Sequence, residues 1–192
     1  IPVKWALQRM GRMGGALLDG WLKGGLAASA VHVLDPHPRA ELSDLGISVN
    51  GKLPADPAVL VIAVKPQMMA EVLPRLSVGA GTLVVSVAAG VTIAAYEASF
   101  PEAPIVRTMP NTPAAIGQGI TAIIGNAKAG PAQMDLAEAL MSAVGRVVRL
   151  EREDQMDAVT ALSGSGPGYV FHMIEAMAAA GVAEGLAPEL AL

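Results

Sequence analysis

Six apolar residues in a row, Val59 to Val64, stand between Asp56-Pro57 and Lys65-Pro66, and no other feature of the chain limits the fold so tightly. A strand with one wet face alternates polar and apolar side chains. An unbroken apolar run bounded by turn formers reads instead as a strand covered on both faces, as in a parallel sheet between helices. Shorter apolar runs at Val3 to Leu7, Val31 to Leu34, Ile47 to Val49, Leu83 to Val87 and Ile105 to Thr108 predict its neighbours. Helical spacing fills the intervals. Met13, Leu17 and Leu18 share a face in a helix over Met13 to Leu22 that Gly24-Gly25 stops, and further helices are expected around Arg39 to Leu45, around Met68 to Leu76 and after Thr92. The alternation predicts an α/β fold: a Rossmann-like, mainly parallel sheet with helices on both faces. Gly119 to Ile124 and Arg146 to Leu150 add extended segments around a helix at Ala132 to Val144.

From Asp154 onward the pattern changes. Asp154 to Leu162 and Tyr169 to Glu184 both have helical spacing with no strand between them. Residues 1–152 are therefore expected to form a dinucleotide-binding Rossmann domain, and residues 153–192 the start of an all-helical C-terminal domain. Pro188 reads as another helix start. Such a short helical segment cannot build an independent core, so it must pack on the first domain, on a partner chain or on further sequence.

Composition excludes several functions. With 53% apolar but only 3% aromatic residues, the interior must be built from Ala, Val, Leu, Ile and Met, and Met134, Met141, Met173 and Met177 have the spacing of core or interface positions. Thirteen basic and seventeen acidic residues without a basic cluster argue against nucleic acid. The absence of Cys excludes disulfides and thiolate metal sites, and His32, His37 and His172 lack metal-ligand spacing, so no metal is expected. No apolar run reaches 18 residues and no leader pattern opens the chain, so a soluble, cytoplasmic protein with no membrane partner is expected.

The candidate site residues lie where strands hand over to helices. Gly11-Arg12-Met13-Gly14-Gly15 opens the first helix, as a pyrophosphate-binding turn would, although Arg9 occupies the position of the usual first Gly. The bland reading is a helix that merely begins there. Asp35, 21 residues after Gly14, ends the second strand where a carboxylate commonly accepts ribose hydroxyls. His37 and Arg39 offer positive charge for a 2′-phosphate, so NADP is expected ahead of NAD, and a solvated turn explains the same residues. Ala63-Val64-Lys65-Pro66-Gln67 and Ser86-Val87-Ala88-Ala89-Gly90 follow strands at the carboxyl edge, where Lys65 can meet phosphate or ribose and small residues such as Ala88 leave room for a flat group. A solvated Lys before a helix-starting Pro, and a tight strand-to-helix connection, explain the two segments equally well. Arg107-Thr108-Met109-Pro110-Asn111-Thr112-Pro113 holds an amide and a hydroxyl between prolines, placing Asn111 at the nicotinamide and Thr112 at the substrate, or else both as turn caps. Ala161 to Tyr169 reads as a small-residue loop whose backbone N–H groups can approach an anion, or as a plain helix connection. Glu151-Arg152-Glu153-Asp154 reads as a solvated helix entry, and His172 and Glu175 as i,i+3 neighbours.

Val-Lys-Pro-Gln at 64–67, Met-Pro-Asn-Thr-Pro at 109–113 and Leu-Ser-Gly-Ser-Gly-Pro at 162–167 together resemble the pyrroline-5-carboxylate reductases, and the likeness runs through nearly the whole chain. The resemblance implies an N-terminal Rossmann domain that holds NAD(P)H and a helical C-terminal domain that interlocks with a second subunit. It implies reduction of 1-pyrroline-5-carboxylate to L-proline, the last step of proline synthesis, by dimers that often assemble as decamers. On this sequence it matches Gly11, Met13 and Gly14 to the cofactor loop, Lys65 and Pro66 to its second wall, Asn111 to the nicotinamide side, and Ser163, Gly164, Ser165 and Gly166 to the loop near the substrate carboxylate. The residue readings add Arg12, Asp35, Ala63, Val64 and Ala88 as expected cofactor contacts, Asn111 and Thr112 as expected catalytic groups, and backbone donors at Ser165 and Gly166 for the carboxylate. Arg9 and Gly168 depart from the family's Gly and Ala. Further C-terminal helices, including a Thr-containing one near the substrate, are implied beyond these 192 residues, so the chain is expected to be a fragment. A β-hydroxyacid dehydrogenase would carry a catalytic Lys after the domain boundary, where this chain has none; a non-catalytic nucleotide-binding or interaction protein is the other alternative.

Overall fold

The computed structural model describes residues 5–8, 11–54 and 56–192; Arg9 and the start of the expected first strand lie outside them. The strands are β1 (Trp5–Gln8), β2 (Val31–Leu34), β3 (Ser48–Val49), β4 (Val59–Ile62), β5 (Leu83–Ser86), β6 (Ile105–Met109), β7 (Gly119–Gly125) and β8 (Gly145–Arg149). They form one sheet in the order β3-β2-β1-β4-β5-β6-β7-β8. All neighbours are parallel except β6 and β7. The connection at 110–118 is too short for the crossover that a parallel pair would need, so β7 returns antiparallel. Every residue of β4 and β5 is buried, as the unbroken apolar run predicts. Because β4 ends at Ile62, residues 63–66 run out beyond the carboxyl edge of the sheet.

The helices are α1 (Arg12–Lys23), α2 (Met69–Val72), α3 (Ile93–Glu97), α4 (Pro131–Ser142), α5 (Gln155–Val159), α6 (Gly166–Ala183) and α7 (Pro188–Ala191). On one face of the sheet Leu17, Leu18 and Trp21 of α1 and Leu140 and Met141 of α4 pack against Val33, Val61, Val85 and Val106. Trp21 satisfies its buried indole N–H at the Leu140 carbonyl, 2.9 Å away. On the other face Met69, Val72, Tyr96 and Phe100 cover Leu60, Ile62, Val84 and Ile105.

Several helices are shorter than their spacing predicts. Met68 to Leu76 breaks into 3₁₀ turns at Pro66–Met68 and Leu73–Arg75 around the single turn of α2, since Pro74 cannot donate a backbone hydrogen bond. Arg39 to Leu45 contracts to a 3₁₀ turn at Ala40–Leu42, followed by turns that Gly46 closes at φ 83°. The expected helix opened by Thr92 is α3, with Thr92 as its N-cap.

The largest departure concerns Ala161 to Tyr169, which is helical rather than a loop. α5 passes into a π-helical turn, Thr160–Gly164, and α6 begins at Gly166. The Ser165 N–H donates to the Thr160 carbonyl at 2.8 Å, the wide i→i−5 closure of a π turn. Of the two serines in the segment, Ser163 turns its hydroxyl back onto the preceding turn, as does Thr160 just before the segment. Thr160 Oγ1 donates to Met156 O at 2.8 Å and Ser163 Oγ to Val159 O at 3.3 Å. Pro167 falls in the first turn of α6, where its missing N–H removes no intrahelical bond.

No residue of α6 is buried, although Tyr169, Val170, Phe171, Met173, Ile174 and Met177 are all large and apolar. Met141 is in the core as its spacing predicts, whereas Met173 and Met177 stand on this open helix. His172 and Glu175 share the one polar side, and the broad apolar arc opposite them is built to be covered.

Candidate active site

The carboxyl ends of β1, β4, β5 and β6 lie side by side, and β1 is flanked by β2 on one side and β4 on the other. The chain winds in opposite directions from that point, which leaves a crevice beyond the strand ends. α1 starts there, with Gly11 as its N-cap and the first helical bond from Gly15 N–H to Gly11 O at 2.9 Å. The N–H groups of Arg12, Met13 and Gly14 precede that bond, no side chain caps them, and the first turn carries no acid. Together with the exposed Arg12 they form a positive end suited to phosphate. A cleft of ≈ 410 Å³ lies against it, lined by Gly11, Arg12, Gly15, Asp19 and Arg39 among others. An uncapped helix end, open space at Gly11 and adjacent arginines fit a pyrophosphate-bearing dinucleotide.

Asp35 is buried, and its Oδ1 accepts the His37 N–H at 2.8 Å. Asn50 closes the same turn, accepting from Asp35 N–H at 2.9 Å and donating to Asp35 O at 2.8 Å. Arg39 instead reaches α1 and holds both carboxylate oxygens of Asp19, at 2.7 and 3.0 Å. The Asp19 hydrogen bonds raise the Arg39 pKa further above its already high range.

Lys65 and Pro66 are exposed at the strand-end turn, with Ala63 half-buried and Val64 buried behind them. Ala88 is buried, and its N–H donates to Ser86 Oγ at 3.2 Å while that hydroxyl also pairs with the Tyr96 hydroxyl. At the end of β6, Thr108 Oγ1 donates to the Ser86 carbonyl at 2.9 Å. Asn111 is buried, with Nδ2 donating to Ser163 O at 3.2 Å and Oδ1 accepting the Ile120 N–H at 2.9 Å. Thr112 is exposed at the head of the 3₁₀ turn Thr112–Ile116.

The sequence-distant segments 109–113 and 163–166 are thus brought together, while the Asp35 carboxylate folds into its own turn. One expectation changes in detail. The Ser165 N–H is engaged by Thr160 O, so it is not open to a carboxylate, and α6 begins at the half-buried Gly166 with no side-chain cap.

Reading the sequence missed Arg107 and Glu153. Glu151, Arg152 and Asp154 are exposed as expected, but Glu153 is half-buried, and its Oε1 accepts from both Arg107 Nη1 and the Ile93 N–H, each at 2.8 Å. The signal was available. An Arg inside an otherwise apolar strand must find a counter-charge when buried, and Arg107 is only 3% exposed. Among the described residues no cluster of acids and histidines could hold a metal, and no helix is long and apolar enough to cross a membrane.

Comparisons with known proteins bear on the family and the fold. The pyrroline-5-carboxylate reductase dimerisation family matches residues 153–192, and the coenzyme F420-dependent NADP oxidoreductase family matches residues 9–90. A Pseudomonas aeruginosa pyrroline-5-carboxylate reductase is 40% identical over 190 residues, covering 94% of this chain and 70% of its own length. The chain belongs to the pyrroline-5-carboxylate reductase family. A Synechocystis reductase is 51% identical over 129 residues, 67% of this chain, and the match spans about half of that relative, 48%. A Coxiella burnetii reductase structure superposes with a TM-score of 0.82 at 31% identity, over 100% of this chain and 74% of that one. A Plasmodium falciparum pyrroline carboxylate reductase with NADP bound gives 0.84 at 26% identity, over 98% of this chain and 72% of that one.

Proposed function

We propose that the protein reduces 1-pyrroline-5-carboxylate to L-proline with NADPH, completing proline synthesis in the cytoplasm. Residues 1–152 form the cofactor domain and residues 153–192 begin a helical domain for substrate binding and dimerisation. The observation that carries this reading is the Asn111–Ser163 hydrogen bond, which ties the carboxyl edge of the sheet to the π turn and the start of α6. Family membership and the NADP in the Plasmodium relative support the cofactor and the reaction.

Bound at this edge, the reduced nicotinamide would supply hydride to the imine carbon. The imine nitrogen is basic enough to be protonated from water, so no side-chain acid is required and positioning does most of the work. The uncapped first turn of α1, with Arg12, holds the pyrophosphate; Arg39 lies beside the adenosine end; Lys65, Pro66 and Ala88 wall the groove. Asn111 mounts the π turn on the sheet, and Thr112 faces the reacting ring. The start of α6 at Gly166 and the half-buried Ser165 receive the substrate carboxylate. The exposed apolar surface of α6 is covered by the same helix of a second subunit, and such dimers assemble further into a decamer.

NADPH oxidation by the intact protein with 1-pyrroline-5-carboxylate tests the reading. Proline formation is the expected result, and a folded protein that binds NADPH without producing proline overturns it. Ser165→Phe should abolish substrate binding and spare NADPH binding.

A further inference from the structure

One face of β6 and its extension works as a ruler for the C-terminal helices. Side chains two residues apart on a strand share a face, so Arg107, Met109 and Asn111 stand in line. Arg107 Nη1 binds Glu153 Oε1 at 2.8 Å, just before α5. Met109 lies against the π turn so closely that a Cβ added to Gly164 would stand 2.7 Å from its Cε. Asn111 Nδ2 holds the Ser163 carbonyl at 3.2 Å. Alternate positions along β6 and its extension thus grip the start and the end of the segment that leads into α6.

Packing between these grips is apolar and therefore undirected. Met156 is buried in a small cluster with Ile93, Ala122 and Ile124, which favours burial but does not fix the rotation of α5. The ion pair is directional. Arg107 is 4% exposed at its side chain, and Glu153 is anchored a second time by the Ile93 N–H at 2.8 Å. Asp157, one turn further along, stands 4.0 Å from Arg107 Nη2 and adds a weaker attraction on the same side. A guanidinium held in the sheet thus sets where α5 begins and which way it faces, and the π turn inherits that setting.

We infer that Arg107 and Glu153 are a positioning pair for the reaction, fixing the height of the π turn and of the start of α6 over the cofactor edge. Both act through the segment that they hold, Glu153 at its start and Arg107 from the sheet. The inference rests on the reaction proposed above, and a displacement of about 1 Å in such a setting costs about 100-fold in rate.

The test compares the intact wild-type protein with Glu153→Gln, with Arg107→Lys and with the double variant Arg107→Met/Glu153→Met. The double variant replaces the buried pair with apolar volume, so it can recover stability without recovering direction. Each protein is followed by NADPH affinity, by single-turnover hydride transfer from NADPH deuterated at the transferred position, and by amide hydrogen exchange over residues 160–166. NADPH affinity should stay unchanged in all of them. Hydride transfer should slow about 10- to 100-fold in the double variant, less in Arg107→Lys, with a rising isotope effect as chemistry becomes limiting. Exchange over residues 160–166 should increase while β4 and β5 remain protected. A folded double variant or Glu153→Gln protein with wild-type hydride transfer and wild-type exchange overturns the inference. If the wild type makes no proline, the proposed reaction falls, and exchange over residues 160–166 alone decides whether the pair positions the turn.

Discussion

Asn111 donates from Nδ2 to the backbone carbonyl of Ser163 at 3.2 Å, fifty-two positions later in the chain, while its Oδ1 accepts the Ile120 N–H at 2.9 Å. Both ends of one buried amide are used, and their chemistry differs. Asn111→Asp keeps an acceptor for Ile120 but sets a carboxylate oxygen against the Ser163 carbonyl. It should cost about 1–3 kcal/mol in denaturant unfolding and lower proline formation. Unchanged stability and turnover would show that the bond is incidental.

Gly145 pairs with Gly119 across β7 and β8 at φ 148°, and a Cβ there would lie 2.0 Å from Gly119 O and 2.5 Å from Gly119 C. Because the obstacle is backbone, no rotamer relieves it. Gly145→Ala should destabilise by at least about 4 kcal/mol, against about 0.5 kcal/mol or less for Gly81→Ala, where a Cβ meets open space. Equal urea midpoints for the two variants would refute this.

Burial raises the Tyr96 pKa above 10.0, while its Ser86 hydrogen bond and the nearby Arg107 charge pull the other way. With a folded-state pKa above the unfolded one, the native protein holds this proton more tightly. Its contribution to stability is complete below about pH 10 and is lost as pH rises through the folded value. Tyr96→Phe should therefore flatten the loss of stability above pH 10, measured by unfolding at a series of alkaline pH values. An unchanged alkaline slope would exclude Tyr96 as its source.

Arg39 meets Asp19 in a bidentate pair beside the cleft at α1. If this guanidinium receives the 2′-phosphate, Arg39→Met should weaken NADPH about tenfold and leave NADH nearly unchanged. Asp19→Asn should act in the opposite direction by releasing the arginine. Equal effects on both nucleotides would place the 2′-phosphate elsewhere.

Phe171 is 63% exposed on α6, among the apolar side chains that the second subunit is proposed to cover. Phe171→Glu would bury a charge in that interface and should convert the dimer to monomer in sedimentation analysis. A dimer of unchanged affinity would move the interface off this helix.

How far the site could be read from sequence depended on the range of the interaction involved. The turn at Gly11, the strand run at Val59 and the proline-braced Asn111 are local patterns, set by glycine geometry, burial on both faces and restricted backbone, and each is found at its expected place. Segment 161–169 was misread because small and hydroxyl-bearing residues suit a loop and a π turn alike. What decides between them is the helix on either side and the grip of Met109 and Asn111, and none of these is visible in the segment itself. Glu153 was misread for a similar reason: amid charged neighbours it looks solvated until Arg107 is brought to it from β6.

The sequence by itself determined the α/β alternation, the glycine turn that opens α1 and the family motifs, because these follow from side-chain periodicity and backbone permissiveness within a few residues. Only the tertiary structure decided the reversal at β7, the π turn under α6 and the Arg107–Glu153 pair. Strand order and buried charge pairing depend on which distant groups exclude water from one another, and that free energy exists only once the sheet has assembled.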